Sequence, residues 1–356
     1  MNIRRNIALA MLLAAGLGVQ AQTEVTTFVP GSTLEGISYF LPRTAFRVTI
    51  KADKTVTKPG DFHKYAERYL HLNRVPTTES VRWEIKSITL EPYGVPDKTK
   101  AYSIKLRSKT VAPLVGLSRD GLLLSINTDA DESTLPALPQ ASQDPAPADP
   151  RAYMTQEILA AGSVAKMAEL CAQEIYDIRE SRNALVRGEA DNTPKDGAQL
   201  QLMLSQLAQQ DQALTSLFAG TTHTTHEVFS KTYDPTQETA RDILFRFSHK
   251  LGVLGQDDLA GDPIYISVKR TETLPATVVD EQVAKKKAKM EKGVYYNVPA
   301  RGKLRVFDAD KEYCTLETPM GQFGSVEILS NLLFDKKTNT KVTFFQNTGG
   351  TKDVME

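Results

Sequence analysis

The chain of 356 residues contains only two cysteines and one tryptophan, and its charges cancel. Cys171 and Cys314 are too few for a disulfide framework or a structural zinc site. We expect each to be buried as a small apolar residue, with a bridge between them as the alternative. The 43 basic and 43 acidic residues leave no net charge to attract nucleic acid or an anionic lipid surface, so no nucleic-acid partner is expected.

Long apolar runs are lacking after the N-terminus. Arg4 and Arg5 precede an apolar stretch over residues 7–19 that leads into Val-Gln-Ala, ending at Ala21. This pattern predicts a signal peptide over residues 1–21, with a buried core helix as the alternative. No later run approaches the 18 to 20 or so residues of a spanning helix. We therefore expect an exported protein without a membrane span, in the periplasm or associated with the outer membrane.

The first part of the mature chain, residues 22–128, has the patterns of a β-rich domain. Residues 46–51 alternate between apolar and polar side chains, as half-buried strands do. A single helix is predicted between Asp61 and Pro76. The Tyr-Gly-Val-Pro-Asp sequence at 93–97 predicts a turn before another strand.

The middle of the chain changes character twice. Residues 129–152 contain five prolines and several aspartates, which predicts an extended linker. Residues 153–220 then predict two helices that form an antiparallel hairpin. The first helix has an apolar stripe rich in alanine and the second has coiled-coil spacing.

The remaining chain returns to strand patterns. Residues 221–272 are predicted to join the N-terminal β domain, residues 280–292 to form a lysine-rich helix, and residues 293–356 to form a small C-terminal β module. The predicted fold class is α+β: a β-rich body with an inserted antiparallel helical hairpin and a small C-terminal β module.

Several segments together resemble an uncharacterised family of exported proteins, domain of unknown function 4831, found in Gram-negative anaerobes. These segments are Tyr-Phe-Leu-Pro at 39–42, residues 59–70 with Tyr-Ala-Glu-Arg at 65–68, residues 93–97, 175–182 and 188–190, Phe-Arg-Phe-Ser at 245–248, and Gln-Phe-Gly at 322–324. The resemblance covers nearly the whole mature chain and implies a location in the cell envelope. The family has no assigned activity, so the resemblance gives no residue a catalytic or binding role.

Two motifs resemble catalytic sequences. Ser163 and Lys166 have the Ser-x-x-Lys spacing of penicillin-recognising enzymes, and Ser181-Arg182-Asn183 imitates their second element. Both fall on one predicted helix, where Ser163 and Ser181 would lie about 27 Å apart at 1.5 Å per residue. That separation excludes a shared active site.

Two further motifs resemble metal sites. His223 and His226 would point to opposite faces of a strand, which argues against a shared metal. Asn127, Asp129 and Asp131 lack the glycine and glutamate of a calcium loop. We predict no catalytic residue, metal or cofactor.

Two functions of different classes remain. The favoured one is a noncatalytic interaction module whose hairpin contacts an envelope protein or a second copy of the chain. Its candidate surface residues are Val186, Leu202, Phe218, Lys285, Lys286, Lys287 and Lys289. The alternative is a protein that binds or acts on envelope glycan through a site assembled only in the fold. Aromatic residues of the C-terminal module could stack on sugars, although we expect most of them in the strand core: Tyr295, Tyr296, Phe307, Tyr313, Phe323, Phe344 and Phe345.

Overall fold

The structure is a computed structural model that describes residues 24–27, 36–105, 115–191, 194, 196–272, 293–330 and 340–355. The strands are β1 (Glu24–Thr27), β2 (Ile37–Lys58), β3 (Ser80–Lys105), β4 (Val115–Leu117), β5 (Leu123–Ile126), β6 (Ser142–Gln143), β7 (Thr221–Tyr233), β8 (Thr239–Ser248), β9 (Gly252–Leu254), β10 (Asp262–Arg270), β11 (Gly293–Phe307), β12 (Glu312–Ser330), β13 (Lys341–Phe344) and β14 (Thr351–Met355). The α-helices are α1 (Ala66–Leu70), α2 (Gln156–Leu159), α3 (Val164–Arg187) and α4 (Gly197–Ala219). The α+β fold class is confirmed, with a β-rich body and a helical hairpin.

The first sheet has the strand order β1-β3-β2-β7-β6, and a long antiparallel ribbon of β2 and β3 forms its centre. Bulges at Phe40/Pro42 and Lys51/Ala52 interrupt the ladder of this ribbon. Such bulges bend a strand and increase its twist. As a result, the beginning and the middle of β2 contribute to different cores: Tyr39 packs in one, and Phe46 in another.

The predicted turn at 93–97 is wrong, because β3 runs through these residues without a break. Tyr93 pairs with Ala45 of β2, and Pro96 lies opposite Pro42 beside a bulge. Proline is tolerated in a strand where the ladder of hydrogen bonds is already interrupted. Pairing with β2 therefore overrides the local turn signal.

The helix predicted between Asp61 and Pro76 is present but shorter than expected. It consists of a 3-10 turn at His63–Tyr65 followed by α1. His71 ends the helix in the left-handed conformation with a φ of 56°.

The second sheet has the order β12-β11-β10-β8-β9 and packs against the first. Its inner face supplies Phe245, Ile266 and Leu304, which pack with Phe46 and Ile50 of β2. These side chains are fully buried and form the main core of the β body. Alternation along the strands explains this core, since every second residue of β10 and of the second half of β11 is buried.

The third sheet has the order β14-β13-β5-β4 and combines strands from distant parts of the chain. Val342 of β13 pairs with Ile126 of β5, and both are buried. A parallel bridge from Phe40 to Leu122 links this sheet to β2. The strands after residue 293 are therefore divided between the second sheet (β11 and β12) and the third (β13 and β14).

The helical hairpin leaves the β body after the proline-rich segment and returns to it through β7, which pairs with β2. Side chains cap both helices: Ser163 accepts from Lys166 N, and Asp196 accepts from Ala198 N. Gly188 ends α3 with a φ of 73°, a conformation that favours glycine. The sequence thus marks both ends of each helix.

The proline-rich segment 129–152, called the strap from here on, lies against the body in an extended form. Ser133 N donates to the Gln346 side chain near its start. The short strand β6 within the strap then pairs with β7, and the chain continues through a 3-10 turn at Pro150–Tyr153 into α2. The strap therefore connects the third sheet, the edge of the first sheet and the hairpin.

Candidate functional site

The base of the hairpin is firmly anchored. Cys171 and Ile175 of α3 and Leu214 of α4 are fully buried. Phe62 packs with them from residues 60–70, the segment that contains α1 and is called the α1 region from here on. Gly60 sits so close to α4 that an added Cβ would lie 2.1 Å from the carbonyl oxygen of Leu217. The α1 region therefore acts as a third packing element across the base of the hairpin.

This third element corrects one predicted surface residue. Phe218 is fully buried, and the centre of its ring lies 5.4 Å from that of Phe62. The expectation that Phe218 lies on the outer face of the hairpin is wrong, because a pattern of two helices does not reveal that α1 covers this side.

The tip of the hairpin is exposed. Val186, in the last turn of α3, is 67% exposed, and Leu202, in the second turn of α4, is 59% exposed. Met203 beside it is 38% exposed. Since the helices are antiparallel, these three apolar side chains lie at the same end of the hairpin. Whether they contact a partner stays a prediction.

The two helices differ sharply in charge. Helix α3 carries eight charged residues, whereas α4 carries one, Asp211, among 23. Asp211 is engaged within the hairpin, since it accepts from Arg179 Nε at 3.0 Å and from the Thr215 hydroxyl at 3.0 Å. The exposed residues of α4 are uncharged: Gly197, Ala198, Gln199, Gln201, Leu202, Met203, Ser205, Gln206, Ala208, Gln209 and Gln212. Depletion of charge is typical of interface centres, where methionine is also enriched.

The predicted lysine patch cannot be placed beside this surface. Lys285, Lys286, Lys287 and Lys289, with the helix predicted at 280–292, lie outside the described residues.

Two clefts adjoin at the C-terminal turn between β13 and β14. The first, of about 450 Å³, is lined largely by apolar side chains, including Tyr296 and Pro299. The second, of about 770 Å³, is lined by several carboxylates: Asp120, Asp129, Asp131, Glu132 and Asp353. Phe345, which is 48% exposed, and Asn347 line both clefts. The fold alone assembles this site, since its carboxylates come from three separate segments of the chain.

A buried asparagine holds the turn that carries Phe345. Asn297 Nδ2 donates to the carbonyl oxygens of Pro42 (2.9 Å) and Thr348 (2.8 Å), and its backbone N donates to Gly349. Its Oδ1 is buried and has no hydrogen-bond partner among the described residues. Asn297 therefore ties β2, β11 and the C-terminal turn together.

A separate group of polar side chains lies where the strap crosses the first sheet. His226 of β7 donates from Nδ1 to Asp53 Oδ1 of β2 at 2.7 Å, and its Nε2 lies 3.5 Å from Asp144 Oδ1 of the strap. Lys86 of β3 contacts the other oxygen of Asp53 at 3.5 Å. The hydrogen bond to Asp53 is the largest factor that raises the pKa of His226.

This group could not be found from the sequence. Asp53 and His226 are 173 residues apart, and only the pairing of β2 with β7 brings them opposite each other. Alternation along β7 indicated the face of His226 but not its neighbours.

The motifs that resemble catalytic sequences have structural roles. Ser163 is the N-cap of α3, and Lys166 forms a pair with Glu169 on the same helix.

His63 and His249 each place Nδ1 against a backbone carbonyl oxygen. Among the described residues, no group of three or more His, Cys, Asp or Glu side chains could hold a metal ion.

Both cysteines are free thiols. Cys171 is buried in the base of the hairpin, and burial raises the pKa of its thiol to about 12. Cys314 is half-buried on β12, in a different core. A thiol held so strongly in its protonated form is a poor nucleophile, so Cys171 serves packing.

In the part of the chain that the structure describes, no helix has the length and apolar character needed to cross a membrane.

Comparison with known proteins identifies the family. No curated protein and no solved structure matches the chain. One family model, Domain of unknown function (DUF4831), matches residues 35–352, a range that contains every segment on which the resemblance rested. The chain therefore belongs to the DUF4831 family.

Proposed function

We propose that this chain is an exported cell-envelope protein that acts without catalysis, as an interaction module, and that its helical hairpin is the docking element. The observation that carries this proposal is the uncharged, exposed face of α4, which ends at the apolar tip formed by Val186, Leu202 and Met203. The pattern of a signal peptide in residues 1–21 supports export.

The geometry of the hairpin suits docking. Its base is held by a buried cluster with α1, so its position relative to the β body is set before any partner binds. A preorganised surface loses less conformational entropy on binding than a flexible one. Exposed Leu and Met side chains on such a surface gain free energy when a partner removes them from water, at about 25 cal/mol per Å² of apolar area.

The test is cross-linking in intact cells with a tagged copy of the full chain. The variant carries Val186→Glu and Leu202→Glu, which place charge at the tip without touching the buried base. The matched control is Leu259→Glu, since Leu259 is 82% exposed in the loop between β9 and β10.

We expect a reproducible partner with the unaltered chain and with the control, and at least a tenfold loss of capture with the tip variant, which corresponds to about 1.4 kcal/mol. If the partner is a second copy, sedimentation of the purified chain gives a dimer that the tip variant lacks. Capture that is equal for the tip variant and the control would refute the hairpin as the docking element.

A second candidate, binding of envelope glycan, is favoured by the paired clefts at Phe345. An exposed aromatic ring beside an asparagine and several carboxylates offers both stacking and hydrogen bonds to a sugar. We expect a soluble glycan fragment to bind the full chain in calorimetry and Phe345→Ala to weaken this binding, with Leu259→Ala as the control. No heat of binding, or equal binding by both variants, would remove this candidate.

A further inference from the structure

The proline-rich strap is attached to β7 by few polar contacts. Ser142 and Gln143 pair with His226 and Thr225, and Asp144 N donates to the carbonyl oxygen of Thr224 at 3.0 Å. Prolines before and after this short strand provide no backbone donors. The contact between His226 Nε2 and the Asp144 carboxylate, at 3.5 Å, adds a side-chain link to this attachment.

The strap also forms one wall of an open cleft. This cleft, of about 420 Å³, lies between the first sheet and the strap, lined on the sheet side by Lys51, Asp53 and Lys86 and on the strap side by Gln140 and Ser142. Release of the strap would remove this wall and uncover the outer edge of β7.

The imidazole of His226 holds the strap in a way that depends on its proton. A neutral imidazole has one N–H, and when Nδ1 donates to Asp53, Nε2 presents a lone pair to the Asp144 carboxylate. The protonated ring donates toward both carboxylates. The contact between His226 and Asp144 is therefore more favourable when the ring is protonated.

The surrounding charges favour the protonated ring. Asp53 of β2, Glu84 of β3 and Asp144 of the strap face this region, and Lys86 contacts both Asp53 and Glu84. Arg82 acts on Glu84 from further along β3.

Two other charged groups, Lys51 of β2 and Glu227 of β7, line the same cleft. The carboxylates that act directly on His226 are those of Asp53 and Asp144.

We propose that His226, held between Asp53 and Asp144, makes attachment of the strap sensitive to pH. The strap stays closed over the edge of β7 when the imidazole is protonated and is released when the imidazole is neutral. This inference is independent of the hairpin as a docking element. Asp53, the largest cause of the raised pKa of His226, lies on β2 and stays beside the ring when the strap is released, so only the contribution of Asp144 is linked to closure. The extra stability of closure is therefore fully present below the pKa that His226 has in the open form. It is lost as the pH rises through the raised pKa.

The test measures hydrogen exchange at the Asp144 amide of the full chain between about pH 5 and about pH 8. Exchange is expressed as a protection factor, so that the intrinsic pH dependence of amide exchange is removed. We expect protection to fall several-fold with rising pH, up to about tenfold for each unit by which the pKa of His226 differs between the closed and open forms.

Three variants test the assignment. His226→Gln should show low protection at both pH values, and Asp144→Asn, an exposed change in the strap, should abolish most of the pH dependence without endangering the fold. His223→Gln, on the same strand, should behave like the unaltered chain. Protection independent of pH in the unaltered chain, full pH dependence in Asp144→Asn, or the same loss in His223→Gln as in His226→Gln would overturn the proposal.

Discussion

The burial of Phe218 at the base of the hairpin makes a strong prediction about stability. Its ring is fully buried against Phe62, and the backbone of α4 lies too close to Gly60 for the two segments to collapse further. Phe218→Ala removes the ring and leaves a cavity that cannot close, for which about 3–5 kcal/mol of unfolding free energy is expected to be lost. Leu202→Ala, a change on the exposed part of the same helix, should stay within about 0.5 kcal/mol.

Urea unfolding with two probes provides the measurement. Far-ultraviolet circular dichroism follows the helices, while the fluorescence of Trp83, the one tryptophan, follows the β body, where it packs against Phe229. We expect the dichroism transition of Phe218→Ala to shift to lower urea. A coincident shift in fluorescence would show that hairpin and body unfold together, and an unshifted fluorescence transition would show that the hairpin unfolds by itself. A loss below about 1 kcal/mol in either case would refute the assignment of Phe218 to the core.

Three further changes test other contacts. Asn297→Ala should cost about 1–3 kcal/mol in urea unfolding, because two buried carbonyl oxygens lose their donor, and an unchanged midpoint would contradict its tying role. Cys171→Ser should lower the free energy of unfolding by about 1–3 kcal/mol, because it places a hydroxyl in an apolar core. The unaltered chain should migrate identically in electrophoresis when oxidised and when reduced, and a difference in mobility would reveal a bridge to Cys314. A double-mutant cycle on Arg179 and Asp211 should give a coupling free energy of about 0.5–1 kcal/mol, since the pair is partly exposed. A coupling near zero would show that this ion pair does not stabilise the hairpin.

Elements with strong local signals could be predicted from the sequence. Ser163 and Gly188 mark the ends of α3, and the change from alternating to helical periodicity near residue 153 separates the hairpin from the strands. The turn predicted at 93–97 failed for a physical reason. Proline and glycine state a local preference, and a partner strand can override it by supplying the hydrogen bonds of an extended chain.

The candidate sites were less accessible to prediction. Exposure of Val186 and Leu202 follows from their positions outside the apolar stripes, whereas Phe218 required knowledge that α1 packs across the hairpin. The contact between Asp53 and His226, and the carboxylates gathered near Phe345, join segments that are far apart in the chain.

The sequence by itself determined the fold class, the hairpin and the family, because these depend on periodicity, capping residues and motifs that act over short distances. Only the tertiary structure decided which faces are covered, how the C-terminal strands are shared between two sheets, and which charged groups meet. Those features depend on the register of strands distant in sequence, such as β2 with β7, and a shift of one residue in that pairing would turn His226 to the other face of the sheet.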